Sequence, residues 1–208
     1  MTSDTRTLIR QYFDAAASNY LERTSKGLSG WLRKRELALT LEMLPERHDG
    51  KVLDAGCGPG HYCRLLRDRG INVTAVDISP EMVSKVTALG IPAYVMDIEH
   101  SDPPPEMPAP FDFILCAGVL EFADDVTEFL RALRNLAADD AELVLVAPRD
   151  GLFGFFYGNY LKGRGIPCRL YTEDDLVEHM KAAGFEPLEV RAAWPICLTV
   201  RARAVNGR

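Results

Sequence analysis

The stretch KVLDAGCGPGHYC, residues 51–63, narrows the possible folds of this 208-residue chain further than any other segment. A β-forming run reaches Asp54, breaks into Gly56, Gly58 and Gly60, and gives way to a helix-like pattern from His61. Glycine reaches positive φ without strain and lets another group come close to the backbone. A glycine turn between a strand and a helix start also aims several N–H donors at one spot, which suits a bound ligand. A tight turn holding nothing is the simpler alternative.

The rest of the chain extends the same rhythm. The runs KVLDA, NVTAVD, AYVMD, FDFILCA and AELVLVAP read as strands, with helix-like segments between most of them. Alternation of this kind predicts a mainly parallel, doubly wound α/β sheet covered on both faces. In SPEM, Ser79 can cap a helix and Pro80 suits its first position; Gly90 ends it. A second helix is expected from its cap at Thr172 to Gly184. FEPLEVRAA and ICLTVRARA then follow with only Trp194–Pro195 between them, which predicts an antiparallel hairpin and brings the strands to seven. Residues 1–50 read as a helical cap on a domain spanning 51–208. Leu8, Ile9, Tyr12, Phe13, Ala16 and Tyr20 share one helical face, SKGLSG (25–30) is a break, and WLRKRELALTLEML is a second helix closed by Pro45. HSDPPPEMPAP (100–110) is too proline-rich for a helix and is expected to be a loop.

Two cofactor classes compete for the glycine turn. A dinucleotide fingerprint needs a small residue at the sixth position, where His61 stands when counting from Gly56. The order Asp54, Gly56, Gly58, Gly60 fits D-x-G-x-G-x-G better. A carboxylate just before the turn repels a pyrophosphate and suits a ligand with an ammonium group. With VTAVDISPEM, AYVMDIE and FDFILCAGVLEFADD in the same order, residues 51 to 204 resemble the class I S-adenosylmethionine-dependent methyltransferases, whose Rossmann-like seven-stranded sheet ends in such a hairpin. YFDAAASNY is similar to a stretch of the ubiquinone- and porphyrin-pathway small-molecule subgroup.

The resemblance implies a role for each matching residue. Gly56, Cys57, Gly58 and Gly60 carry the loop beneath the methionine part of S-adenosylmethionine, and Asp54 organises its amino end. Asp77 accepts hydrogen bonds from both ribose hydroxyls. Ile78 packs on the adenine with Met82 beside it, Asp97 faces the adenine amino group, and Ile98 offers a backbone donor. Cys116 and Ala117 line the sulfonium end, and Tyr12 or Tyr20 closes over it, plain helix packing being the alternative for both tyrosines. S-adenosylhomocysteine is the implied product.

Candidates for a general base are His61, Glu121, Tyr20 and His179, with His179 read as a surface residue and an uninvolved loop histidine the plainer reading of His61. Relatives often carry histidine after the Leu-Glu that leaves strand 4; here it is Phe122, so no essential metal is expected. Asp124 and Asp125 are better explained as helix-start acids. The segment 150–171 reads as a lid-like insertion. Phe153, Phe156, Tyr157 and Tyr160 are its candidate acceptor-binding residues, and packing against the core or a second subunit is the alternative. Lys162, Arg164 and Arg169 add positive charge to the segment, and a small hydrophobic metabolite, aromatic or anionic, is the expected acceptor.

Formal net charge is −6, so no global field recruits nucleic acid. No apolar run approaches the roughly 20 residues that span a bilayer, and the first residues lack a secretory pattern. The five cysteines form no CxxC pair and read as reduced core or pocket residues. A cytoplasmic monomer or homodimer is expected. A nicotinamide or flavin oxidoreductase and a catalytically silent methyltransferase-like binding domain are the alternatives.

Overall fold

The computed structural model describes residues 3–18, 27–44, 49–193 and 197–205. Tyr20, Pro45 and the Trp194–Pro195 link lie outside them. Seven strands form one sheet: β1 (Val52–Ala55), β2 (Val73–Asp77), β3 (Ala93–Val95), β4 (Phe111–Ala117), β5 (Ala137–Pro148), β6 (Phe185–Ala193) and β7 (Cys197–Ala204). The spatial order is β3-β2-β1-β4-β5-β7-β6. All neighbouring pairs from β3 to β5 are parallel, and β7 runs antiparallel to both β5 and β6. The last strand therefore inserts between its two neighbours, which a hairpin expectation alone does not specify.

Burial follows the two-residue period of the strands. In β4, Ile114 and Cys116 face one apolar layer while Phe113 and Leu115 face the other. The first layer is covered by Val126, Phe129, Leu130 and Leu133 of α5 (Val126–Leu136) and by Leu176 and Met180 of α7 (Glu173–Ala182). The second meets Tyr62, Cys63 and Leu66 of α3 (His61–Asp68), Val86 of α4 (Pro80–Thr87) and Met43 of α2 (Gly27–Met43). Each fully buried side chain of this size contributes roughly 1.5–3 kcal/mol.

The helix starts follow their sequence signals. Ser79 Oγ accepts the Met82 N–H at 3.1 Å, and Thr172 and Asp175 form a reciprocal capping box. Such caps contribute about 1 kcal/mol each. Three sequence expectations need correction. Residues 27–30 belong to the first turn of α2, because packing against the sheet outweighs the poor helix propensity of two glycines. Leu8 is exposed on α1 (Ser3–Ala16), whose inward edge is narrower than the apolar pattern suggests and centres on Ile9. Strand β5 begins four residues before Ala141, with Asp140 at φ 60° marking the irregularity.

Gly56 sits at φ +81°, where a Cβ would lie 2.1 Å from Val119 Cγ2. Left-handed backbone and overpacking together predict that Gly56→Ala destabilises the fold by about 2–4 kcal/mol. Adding Val119→Ala should recover the overpacking share, roughly 1 kcal/mol or more. Urea midpoints of the two single variants and the double variant measure this; strict additivity would rule out the contact as the cause.

Candidate active site

A cavity of about 640 Å³ opens where the strand order reverses, beyond the C-terminal ends of β1 and β4. That is where open α/β sheets bind ligands. Its floor is the glycine turn, and the three glycines have different tasks. The N–H groups of Gly56 and Cys57 both donate to Val76 O, at 2.8 and 3.0 Å, holding the turn to β2. Gly60, at φ +81°, packs against Val86 and Leu89 as α3 begins. Gly58, at φ +51°, has open space where a Cβ would stand, and its bare backbone faces the cavity.

Two acids flank the turn. Asp77 is buried at the end of β2; its Oδ2 accepts the Gly58 N–H at 2.8 Å and its Oδ1 accepts the Ser79 N–H at 2.9 Å. Burial pushes its carboxyl up, against the pull of these donors. A carboxylate has about four lone-pair positions, so both oxygens can accept a further hydrogen bond. Asp54 lies behind the turn: its Oδ2 accepts the Cys63 thiol at 3.0 Å, and burial raises its carboxyl to about 6.

Ile78, Met82, Met96, Ile98 and Phe129 line the cavity as an apolar slot, with Asp97 also in the lining. Helix α1 roofs it. Arg6, Ile9 and Phe13, at helical spacing, all face inward. The Arg6 guanidinium lies 3.3 Å from Asp97 and 3.6 Å from Asp124, and bonds Glu99. Further along the same helix, Asp14 accepts the Ser79 hydroxyl. Glu99, His100 and Asp124 stand close enough to share a cation, but Arg6 already holds the two carboxylates.

Residues of α2, β7, the 3₁₀ turn Leu120–Phe122 and α6 (Leu152–Lys162) also line the cavity. Glu121 is 3% exposed, and its Oε2 has no hydrogen-bond partner. Burial pushes its carboxyl up to about 8; the charge of Glu36 on α2 adds to this, and a Tyr157 hydrogen bond opposes it. Glu36 accepts from the Tyr62 hydroxyl at 3.3 Å and lies 3.6 Å from Cys197 Sγ. His61 Nε2 is buried without a partner, and burial, with Arg33 and Arg64, lowers its pKa. Phe153, Phe156, Tyr157 and Tyr160 of α6 form the outer wall.

The sequence-derived residues thus fall into groups. Gly56, Cys57, Gly58, His61, Asp77, Ile78, Met82, Asp97, Ile98, Ala117, Glu121 and the four α6 aromatics line the one cavity. Tyr12, Asp54, Gly60 and Cys116 stand outside its lining. Asp54 and Cys116 are enclosed in the sheet, and Tyr12 packs in the small cluster of Ile9 and Phe122. His179 is half-buried and bonds Thr127 through Nδ1 at 2.8 Å, away from the cavity. Sequence reasoning missed Arg6, Arg33, Glu36, Tyr62 and Cys197. The helical spacing of Arg6 to Ile9 and Phe13 was a usable signal; nothing in the α2 sequence marks Glu36.

Among curated proteins, the malonyl-[acyl-carrier protein] O-methyltransferase of Enterobacter lignolyticus is 31% identical over 126 residues, covering 60% of this chain and 47% of that protein. The ubiquinone biosynthesis O-methyltransferase of Xylella fastidiosa is 29% identical over 144 residues, 60% of this chain and 58% of that one. The chain spans about half the length of these curated relatives. Among solved structures, the Burkholderia thailandensis 1,6-didemethyltoxoflavin-N1-methyltransferase, crystallised with 1,6-didemethyltoxoflavin and S-adenosylhomocysteine, superposes with a TM-score of 0.70 at 20% identity over 96% of this chain and 88% of that one. A family profile described as a methyltransferase domain matches residues 29–190. With that match covering most of its length, the chain belongs to the methyltransferase-domain family.

Proposed function

We propose that the protein is an S-adenosylmethionine-dependent methyltransferase acting on a small, hydrophobic or aromatic metabolite. The observation that carries this reading is Asp77: a buried carboxylate with both oxygens oriented by backbone donors and with lone pairs to spare, beside the open backbone of Gly58. A sugar diol matches that pair of oxygens. The residues present fit the cofactor. Asp77 would hold the ribose, the slot of Ile78, Met82, Met96 and Ile98 the base, and the Gly56–Gly58 turn the amino-acid part. When bound, S-adenosylmethionine supplies a methyl group on a positively charged sulfur that leaves as a neutral thioether.

The chain's own contribution is alignment and exclusion of water. Proximity and orientation contribute about 7–11 kcal/mol in favourable cases. Ala117, Gly118 and Glu121, at the exit of β4, stand between the slot and the aromatic wall, where an acceptor entering under α6 would meet the methyl end. Phe156 is 62% exposed while still lining the cavity, as befits a residue at an entrance. We read residues 1–50 as the cap and 150–171 as the lid of this site, working in the cytoplasm as a monomer or homodimer without nucleic acid. Among the described residues no helix is long and apolar enough to cross a membrane.

Calorimetry with S-adenosylhomocysteine and NADH in parallel tests the reading: micromolar or tighter binding of the first and none of the second is expected, and the reverse would sink it. Asp77→Asn should weaken S-adenosylhomocysteine roughly 10- to 100-fold, since a hydrogen bond to a charged group contributes about 1.5–3 kcal/mol. It should also lower the melting temperature, because the new NH₂ group must face the Gly58 or the Ser79 N–H.

A further inference from the structure

We infer that Glu121 is the proton acceptor of the reaction and that the group methylated is protic, a phenolic hydroxyl or an amine N–H, rather than a carboxylate. The inference rests on the methyltransferase reading above and adds the chemistry of the acceptor to it.

The geometry begins with the turn that carries Glu121. The Tyr171 hydroxyl donates to Leu120 O at 2.9 Å, and the Arg169 N–H donates to Glu121 O at 2.9 Å. The backbone is therefore fixed on both sides of the residue. Its side chain reaches back over Gly118, with Oε1 3.9 Å from where a Cβ on that glycine would stand. Glu121 lines the cavity, and its Oε2 is enclosed and has no hydrogen-bond partner. A buried carboxyl oxygen without a donor is costly, by about 1–3 kcal/mol or more. A ligand that brings an O–H or N–H to it removes that cost.

The surroundings decide which ligand. Glu36 projects into the same chamber from α2. The other titratable groups facing Glu121 are Cys116, Tyr157, Cys168, Tyr171 and Cys197. Burial pushes Cys116, Cys168, Tyr171 and Cys197 upward, so they stay neutral, while Arg33 of α2 lines the same cavity. Above about pH 8, where Glu121 is ionised, a carboxylate acceptor would bring like charge against Glu121 and Glu36, and a protic one meets an open hydrogen-bond acceptor. The apolar body of either would lie along Phe153, Phe156 and Tyr160.

His61 is the competing base, and its environment weakens it. Burial and the charges of Arg33 and Arg64 lower its proton affinity, while burial raises that of Glu121 to about 8. Once ionised, the carboxylate is the stronger proton acceptor of the two. A phenol would lose its O–H proton to the Glu121 carboxylate as an oxygen lone pair bonds to the methyl carbon and the carbon–sulfur bond breaks; an amine would attack with its nitrogen lone pair, and the resulting ammonium would then lose its N–H proton to Glu121. Glu121 must be ionised to act, so turnover rises as pH passes through about 8 and levels above it.

Three probes with one body and different heads test this: 4-butylcatechol, 4-butylaniline and 4-butylbenzoate, titrated into wild-type protein saturated with S-adenosylhomocysteine. The catechol or the aniline should bind at least tenfold tighter than the benzoate at pH 9, where Glu121 is ionised. Whichever of the two binds identifies the head as oxygen or nitrogen. In Glu121→Gln, S-adenosylhomocysteine affinity should be unchanged, the benzoate penalty should shrink, and turnover of the preferred probe should fall about 10²- to 10⁴-fold and lose its rise near pH 8. The head-group ranking in the wild type stands without the variant, should that fail to fold. Benzoate binding as tightly as the others, held by Arg33, overturns the inference, as does failure of both protic probes to bind or an unchanged Glu121→Gln pH profile. Loss of S-adenosylhomocysteine binding by the wild type overturns the methyltransferase reading instead.

Discussion

The two hydrogen bonds from Gly58 and Ser79 onto Asp77 tie together the three pieces of chain that make the site. One carboxylate ends β2, orients the glycine turn after β1 and begins the helix after β2. Burying that carboxylate carries a desolvation penalty, visible in its raised pKa. Backbone donors offset part of the penalty without neutralising the group, because neither donor carries a formal charge. A cationic partner would have satisfied Asp77 more completely and left less for a ligand to do. Backbone N–H groups at fixed positions leave it strong, oriented and incomplete, which is the condition of a preorganised binding group.

The roof over the apolar slot obeys the opposite logic. Arg6 meets Asp97, Glu99 and Asp124, from the segments after β3 and β4, so these carboxylates are paired within the protein. Arg6 is 17% exposed and Glu99 4%, which screens the cluster less than a surface pair. The Glu99 carboxylate also accepts the Asp124 and Asp125 N–H groups at 2.9 and 2.7 Å, which joins the cluster to the start of α5. Helix α1 is thus fastened by charge at one end of the cavity and by the Asp14–Ser79 contact near Asp77. Its Ile9 and Phe13 complete a wall that the sheet alone does not supply.

What could be read from the chain divides along a physical line. The strands, the capped helices, Gly58, Asp77 and the aromatic segment 153–160 were legible because local backbone demands write themselves into sequence as Gly, Pro, Ser, Thr or a period of two. The family resemblance implied cofactor contacts for Asp54 and Cys116; strand alternation points both at the buried layers on the faces of the sheet, outside the cavity lining. Glu36, Arg33 and Tyr62 were invisible for a different reason. They reach the site only through the docking of α2 and α3, and no local signal records which face of a half-polar helix a distant strand will meet. The placement of β7 between β5 and β6 is likewise a tertiary choice, since a hairpin can join a sheet by either strand.

Phe122 shows how a departure from a family pattern can be an exchange rather than a loss. The ring stacks edge-on against Phe13, with centroids 5.4 Å apart, and sits with Ile9, Leu161 and Ile166 in a cluster that joins α1 to α6. A histidine at that position would place a polar ring where the two roof helices meet, with the desolvation cost of an unpaired nitrogen. The phenylalanine therefore closes the cavity from above. The same substitution removes a neighbour that would share the proton chemistry of Glu121. Glu121 is left to rely on burial, on Tyr157 and on whatever enters beneath the aromatic wall, and burial raises its proton affinity.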